Sequence, residues 1–145
     1  MANVFKVSEA AALALHAMVL LAGDPARPRS TREMALALRA SEAHLAKVMQ
    51  RLTRGRLVKP VRGPKGGFRL AAAPGGFRLL RIYEAIEGKF VCVTCLLEEA
   101  ICDGAHCIMG GMVGEINRKL RDYLEKTTLA KLVEGKEGKR RRMAS

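Results

Sequence analysis

Tryptophan is absent from this sequence, and aromatic side chains of any kind make up only 4% of it. An all-β core, which draws on aromatic and β-branched residues, is therefore disfavoured. The apolar residues are mostly Ala, Leu, Val and Met, which suit helices. No apolar run is long enough to cross a bilayer. The longest, AAALALHAMVLLA at residues 10–22, is too short and contains His16. Lys6 precedes it as in a signal peptide, yet Glu9 abuts it and no convincing cleavage site accompanies it. The run reads as a buried or interface helix, which predicts a cytoplasmic protein without membrane association. Catalytic signatures are lacking too. There is no Ser/His/Asp constellation, nucleotide loop or paired carboxylates, and His16, His44 and His106 have no obvious catalytic partner. A non-enzyme is expected.

Acidic charge is scarce: 14 Asp and Glu face 26 Lys and Arg, for a formal net charge of +12. Such a field attracts polyanions. It is also focused, since residues 27–69 hold twelve Arg and Lys against only Glu33 and Glu42. Most of the remainder lies in KRRR, Lys139 to Arg142.

The periodicity predicts a first helix from a Ser8 cap to Leu21 or Ala22, ended by Gly23 and by Pro25 and Pro28. STRE, Ser30 to Glu33, has the form of a capping box and opens a short helix to about Leu38. Ser41 caps a third helix ending at Gly55. Leu45, Val48, Met49 and Leu52 form one stripe of it, while His44, Lys47, Arg51 and Arg54 lie on a largely different face. A basic stripe is commonly just a solvated face, but this one is on the second helix of a helix–turn–helix. Next, LVKPVRGPKGGFRLA places two short strands around Gly63-Pro64-Lys65-Gly66-Gly67, with Pro60 confining its strand to an edge. The loop lacks the Lys-Ser/Thr of a phosphate-cradling P-loop, so a basic wing is the better reading. Leu79 to Ile86 predicts another helix, closed by Gly88. Met112, Val113, Ile116, Leu120, Tyr123 and Leu124 mark a longer one, with the apolar pattern extended through Leu129, Leu132 and Val133.

Cysteine is missing from the first 91 residues and then occurs four times in VCVTCLLEEAICDGAHC, as Cys92, Cys95, Cys102 and Cys107. Such clustering indicates shared chemistry: a disulfide, zinc or an iron–sulfur cluster. A structural disulfide framework is disfavoured in a reducing cytoplasm. Zinc has enough thiols, but the gaps do not match a ribbon of two CxxC pairs.

These segments together resemble the Rrf-type winged-helix transcription regulators, the family of IscR, NsrR and CymR. KVSEAAALALHAMVLLA resembles its opening helix, and STREMALALRASEAHLAKVMQRLTRGRLVKPVRGPKGGFRLA its helix–turn–helix and wing. LLRIYEAIEG and TTLAKLV resemble the helix after the wing and the end of the dimer helix, so the likeness covers about residues 4–133. It implies a mainly α fold with a two-stranded wing and a long C-terminal dimerisation helix. The corresponding segments are a winged-helix DNA-binding domain at 1–90, a cysteine-rich effector loop at 91–110, a dimerisation helix at 111–133 and a basic disordered tail at 134–145. It further implies a homodimer on a pseudo-palindromic double-stranded DNA operator. Ser41, Ala43, His44 and Lys47 match the DNA-facing start of the recognition helix, and Arg62 and Lys65 the wing. Arg51, Arg54 and Lys59 are expected at phosphates or in solvent.

In cluster-binding relatives three loop cysteines hold iron–sulfur, and Cys95, Cys102 and Cys107 match them. The resemblance thus implies a cluster, of 2Fe-2S or 4Fe-4S type, which air can destroy. The fourth ligand departs from the family pattern. A His used three residues after the last Cys is Gly110 here, and an acidic residue used in the partner's opening helix aligns with Ala12. Cys92 heads the remaining candidates, before His106 and Glu9. The expectation is a regulator, usually a repressor, controlled by the cluster. The alternatives are zinc or reversible Cys102–Cys107 oxidation, and, less favoured, a metal or redox scaffold that does not bind DNA.

Overall fold

The computed structural model describes residues 7–135. Five helices and one hairpin follow in the order α1 (Glu9–Gly23), α2 (Thr31–Leu38), α3 (Glu42–Arg54), β1 (Val58–Val61), β2 (Gly67–Leu70), α4 (Leu79–Glu87) and α5 (Met112–Lys126). A 3-10 turn at Pro74–Gly76 precedes α4, and residues 129–135 are again helical. The expected fold class, mainly α with a two-stranded wing, is the one observed.

The first three helices begin where small hydroxyl caps fall. Ser8, Ser30 and Ser41 accept hydrogen bonds from the N–H groups of Ala11, Glu33 and His44, satisfying donors that have no intrahelical partner. The Ser30 cap is only half of a reciprocal box, because the Glu33 carboxylate is drawn instead to Arg27 and Arg29, at 2.8 and 3.0 Å. Two guanidinium groups outcompete one backbone N–H for it. α1 is apolar nearly all round and accordingly central, packing against α2, α3, α4 and β2. Ala11, Ala14, Ala17, Met18 and Leu21 are fully buried. From α3 the core receives Leu45, Val48, Met49 and Leu52, all at most 1% exposed. Each such side chain contributes roughly 1.5–3 kcal/mol by leaving water.

The wing pairs antiparallel with Val58 opposite Leu70 and Pro60 opposite Phe68. Phe68 also exchanges two backbone hydrogen bonds with Arg29, at 2.8 and 2.9 Å, so the segment before α2 flanks β2 on its other side. β1 is left at the edge, the place a strand containing proline requires. Gly67 makes this strap possible. Its φ is +149°, and a Cβ there would stand 2.3 Å from the Arg29 carbonyl oxygen.

α5 ends at Lys126 rather than continuing through residue 133. Thr127 and Thr128 leave the helix for a bridge with Arg78, in which Leu79 N–H donates to Thr127 and Leu129 N–H to Phe77. Fully buried Leu129 and nearly buried Phe77 close this return onto the winged domain. The basic tail expected from residue 134 lies, beyond residue 135, outside the described residues.

Candidate functional site

The face of α3 opposite the core stripe presents Ala43, Lys47, Gln50 and Arg54, all exposed and spaced by three or four residues. Ser41 is exposed at the cap. Gln50 belongs to this stripe although sequence reasoning passed over it. The i, i+3 step from Lys47 was the available signal. His44 is only half exposed, and its Nδ1 lies 3.9 Å from Glu9 at the start of α1. Arg51 is exposed, and its guanidinium donates a hydrogen bond to the carbonyl of Ile86, near the C-terminal end of α4. That carbonyl is near the negative end of the helix dipole, which favours a cation.

Arg62 and Lys65 are exposed at the wing. Lys65, Pro64 and Gly66 share a cleft of about 370 Å³ with Arg27, Ser30 and Glu33. The wing tip and the start of α2 therefore form one surface. Sequence reasoning had not joined them, since the link is the long-range Arg29–Phe68 pairing.

The cysteine segment runs from α4 to α5 without helix or strand. Its entry is pinned twice. The Phe90 N–H donates to the Glu84 carboxylate at 2.9 Å, with the Phe90 ring 5.5 Å from that of Tyr83. Thr94 then packs over Gly114 in the first turn of α5, where an added Cβ would come within 3.4 Å of it. Beyond that point Cys95, Cys102 and Cys107 line one cavity of about 190 Å³, with His106 and an apolar wall that includes Leu96, Leu97 and Ile101. Cys92 is exposed and does not line it. All four cysteines are free thiols. Cys95 Sγ accepts from the N–H of Leu97 at 3.4 Å. Hydrogen bonds from the backbone N–H groups of Met109, then Gly111 and Gly110, hold Cys107 below the usual thiol pKa range. Gly110 and Gly111, with φ of 55° and 80°, make the turn that leads into α5.

A family model described as Rrf2, iron-dependent transcriptional regulator, matches residues 7–135. The chain belongs to the Rrf2 family. An Aquifex aeolicus protein named as an HTH-type transcriptional regulator is 30% identical over 129 residues, covering 87% of this chain and 90% of its own. Against relatives from Neisseria meningitidis and Rhodopseudomonas palustris the match spans 65% and 47% of their lengths. CymR, the global cysteine regulator of B. subtilis, superposes with a TM-score of 0.75 at 26% identity, over 90% of this chain and 97% of that one. IscR of T. potens does so with a TM-score of 0.71 at 25% identity, over 90% and 88%. The two-stranded wing, the helix–turn–helix and the helix after the loop are thus those of the Rrf2 fold.

The family's iron dependence raises the question of whether the cysteine pocket suits iron. Its donor chemistry does. Three soft thiols face one apolar cavity, and Cys95 Sγ already accepts an N–H hydrogen bond of the sort that tunes cluster thiolates. Among the described residues, however, no three Cys, His, Asp or Glu side chains stand together as a finished metal site. Holding a cluster would require the loop to draw in. Also among the described residues, no helix is long and apolar enough to cross a membrane.

Proposed function

We propose that this protein is a homodimeric transcription regulator, a repressor of cytoplasmic location. It binds a pseudo-palindromic double-stranded DNA operator with an affinity set by an iron–sulfur cluster on its cysteine loop. One observation carries the DNA-binding part: α3 divides into a buried apolar stripe and an exposed stripe of Lys47, Gln50 and Arg54. That is the form of a helix offered to a major groove. Ser41 and Ala43 stand at its leading end, with Lys47 and Gln50 toward base edges and Arg54 toward phosphate. Arg62 and Lys65 carry the wing to the adjacent backbone or minor groove. The HTH-type name of the Aquifex relative and the likeness to CymR and IscR support this reading.

Dimerisation is supported by α5, whose apolar stripe is covered only in part. Val113 and Leu124 are buried, Ile116 and Leu120 half-buried, and Met112 and Tyr123 are 47% and 56% exposed. A second copy would cover the remainder and set the spacing of two α3 helices.

Cys95, Cys102 and Cys107 are the ligands we assign. When bound, the cluster supplies iron chemistry that responds to redox state and to ligand exchange. The chain's own residues transmit the state of the loop. Phe90 ties the loop to α4 through Glu84 and Tyr83, and Thr94 ties it to α5 at Gly114. α4 in turn holds α3 through the Ile86 carbonyl and Arg51. A loop that draws in moves α4 and α5 together, and so shifts the setting of both recognition helices.

A second reading has its own support. Cys102 and Cys107 share one cavity as free thiols, as a switch based on their reversible oxidation would need.

The test is DNA titration of the anaerobic protein over a salt series. Lys47→Ala and Arg54→Ala should weaken binding, and a lost phosphate contact should reduce the salt slope by about 1. Unchanged affinity and slope in both variants would refute the interface.

A further inference from the structure

Two arginines stand where the backbone favours glycine. Arg39 and Arg56 have φ of 53° and 58°, and among the described residues no other non-glycine residue has a positive φ. Both close a helix in the same way. At the end of α2 the Ala40 N–H donates to the Ala35 carbonyl at 2.9 Å. At the end of α3 the Leu57 N–H donates to the Leu52 carbonyl at 3.0 Å. Such a closure runs through a left-handed residue, most often glycine, because a Cβ is disfavoured there. Arginine therefore costs stability at both places, and no contact of its side chain offsets that cost. Both residues are exposed, and among the described residues neither guanidinium has an ion-pair or hydrogen-bond partner.

What the two share is their placement around α3. Arg39 lies in the turn just before its first residue, Glu42, and Arg56 just after its last, Arg54. We propose that Arg39 and Arg56 form a two-ended clamp on double-stranded DNA, each holding a phosphate on one side of the major groove that α3 enters. The clamp rests on the DNA-binding reading above. With 13 residues α3 is roughly 20 Å long, whereas the major groove is roughly 12 Å wide. The ends of a helix seated across it come to the two bordering backbones. A guanidinium matches phosphate in charge and in shape. Its contact fixes the helix in the groove without reading sequence, which leaves the base edges to Lys47 and Gln50. The strained backbone is thus kept for a ligand outside the chain.

The experiment substitutes each arginine by glycine and by lysine in the full chain. It reads denaturant unfolding, and anisotropy titration of a mixed-sequence DNA duplex over a salt series. Arg39→Gly and Arg56→Gly should each unfold at a higher denaturant concentration than wild type, since the left-handed backbone suits glycine. Each should also bind the duplex more weakly, with a salt slope smaller by about 1. Arg39→Lys and Arg56→Lys should keep the wild-type slope. Stability and affinity then move in opposite directions, which a purely structural role would not produce. Wild-type affinity and slope in either glycine variant would overturn the clamp alone. So would a glycine variant that unfolds more easily than wild type. Wild-type protein that binds neither this duplex nor an operator selected from genomic DNA would overturn the DNA-binding reading itself.

Discussion

Single residues decide how the wing and the loop are attached. Gly67 is the clearest case, because both its φ and its clearance from the Arg29 carbonyl exclude a side chain. Gly67→Ala should cost about 1–3 kcal/mol of backbone strain alone, read by denaturant unfolding. It should also loosen the wing from the start of α2 and weaken DNA binding. Wild-type stability and affinity would show that the strap is dispensable. Tyr83 supplies a pH test. Burial of its phenol, followed by the nearby charges of Glu87 and Glu84, raises its pKa from the usual 10.0. The folded state therefore holds the proton more tightly than the unfolded chain. This contribution is fully present below the unfolded value and is lost as pH rises through the raised folded one. The alkaline fall in stability should be shallower in Tyr83→Phe, as followed by thermal unfolding at several pH values.

At the scale of elements, what was legible in the sequence was what neighbours in the chain determine. Three serine caps, the proline at the wing edge and the core stripe of α3 all depend on residues within a turn of one another. What was not legible required partners far along the chain. Glu33 has the spacing of a capping box, yet Arg27 and Arg29 claim its carboxylate once the wing has brought Arg29 into register with Phe68. The apolar pattern runs on past Lys126, but the helix does not, because Thr127 and Thr128 pair back to the start of α4. At the candidate site, the resemblance to the family singled out Cys95, Cys102 and Cys107, which line one cavity, whereas nothing in the sequence placed Cys92 outside it. Arg51 is the instructive case. Its sequence position suggested a phosphate contact or a solvated side chain, and its guanidinium also joins α3 to α4 at Ile86. A coupling role and a phosphate role predict different results for Arg51→Ala. As a coupling residue, its loss should bring the DNA affinities of the cluster-loaded and cluster-free protein together. As a phosphate contact, its loss should weaken both equally. Anisotropy titrations of the two forms separate these outcomes.

On the scale of the whole molecule, a basic winged-helix domain and a thiol loop are joined through two helices, and in the proposed dimer a second copy completes the arrangement. The half-covered stripe of α5 should be where that copy docks. Ile116→Asp should therefore yield monomers in sedimentation equilibrium. It should also weaken operator binding by about 100-fold or more, as two linked half-site contacts become one. A dimer that survives this substitution would place the interface elsewhere. The central claim is that the state of the cysteine loop sets DNA affinity. It is tested most directly by selecting an operator from genomic DNA with the anaerobic protein, then titrating that operator before and after removal of iron. The two affinities should differ by at least about tenfold, equivalent to about 1.4 kcal/mol of coupling. Equal affinities, in protein shown to have carried iron and sulfide and then lost them, would contradict the claim.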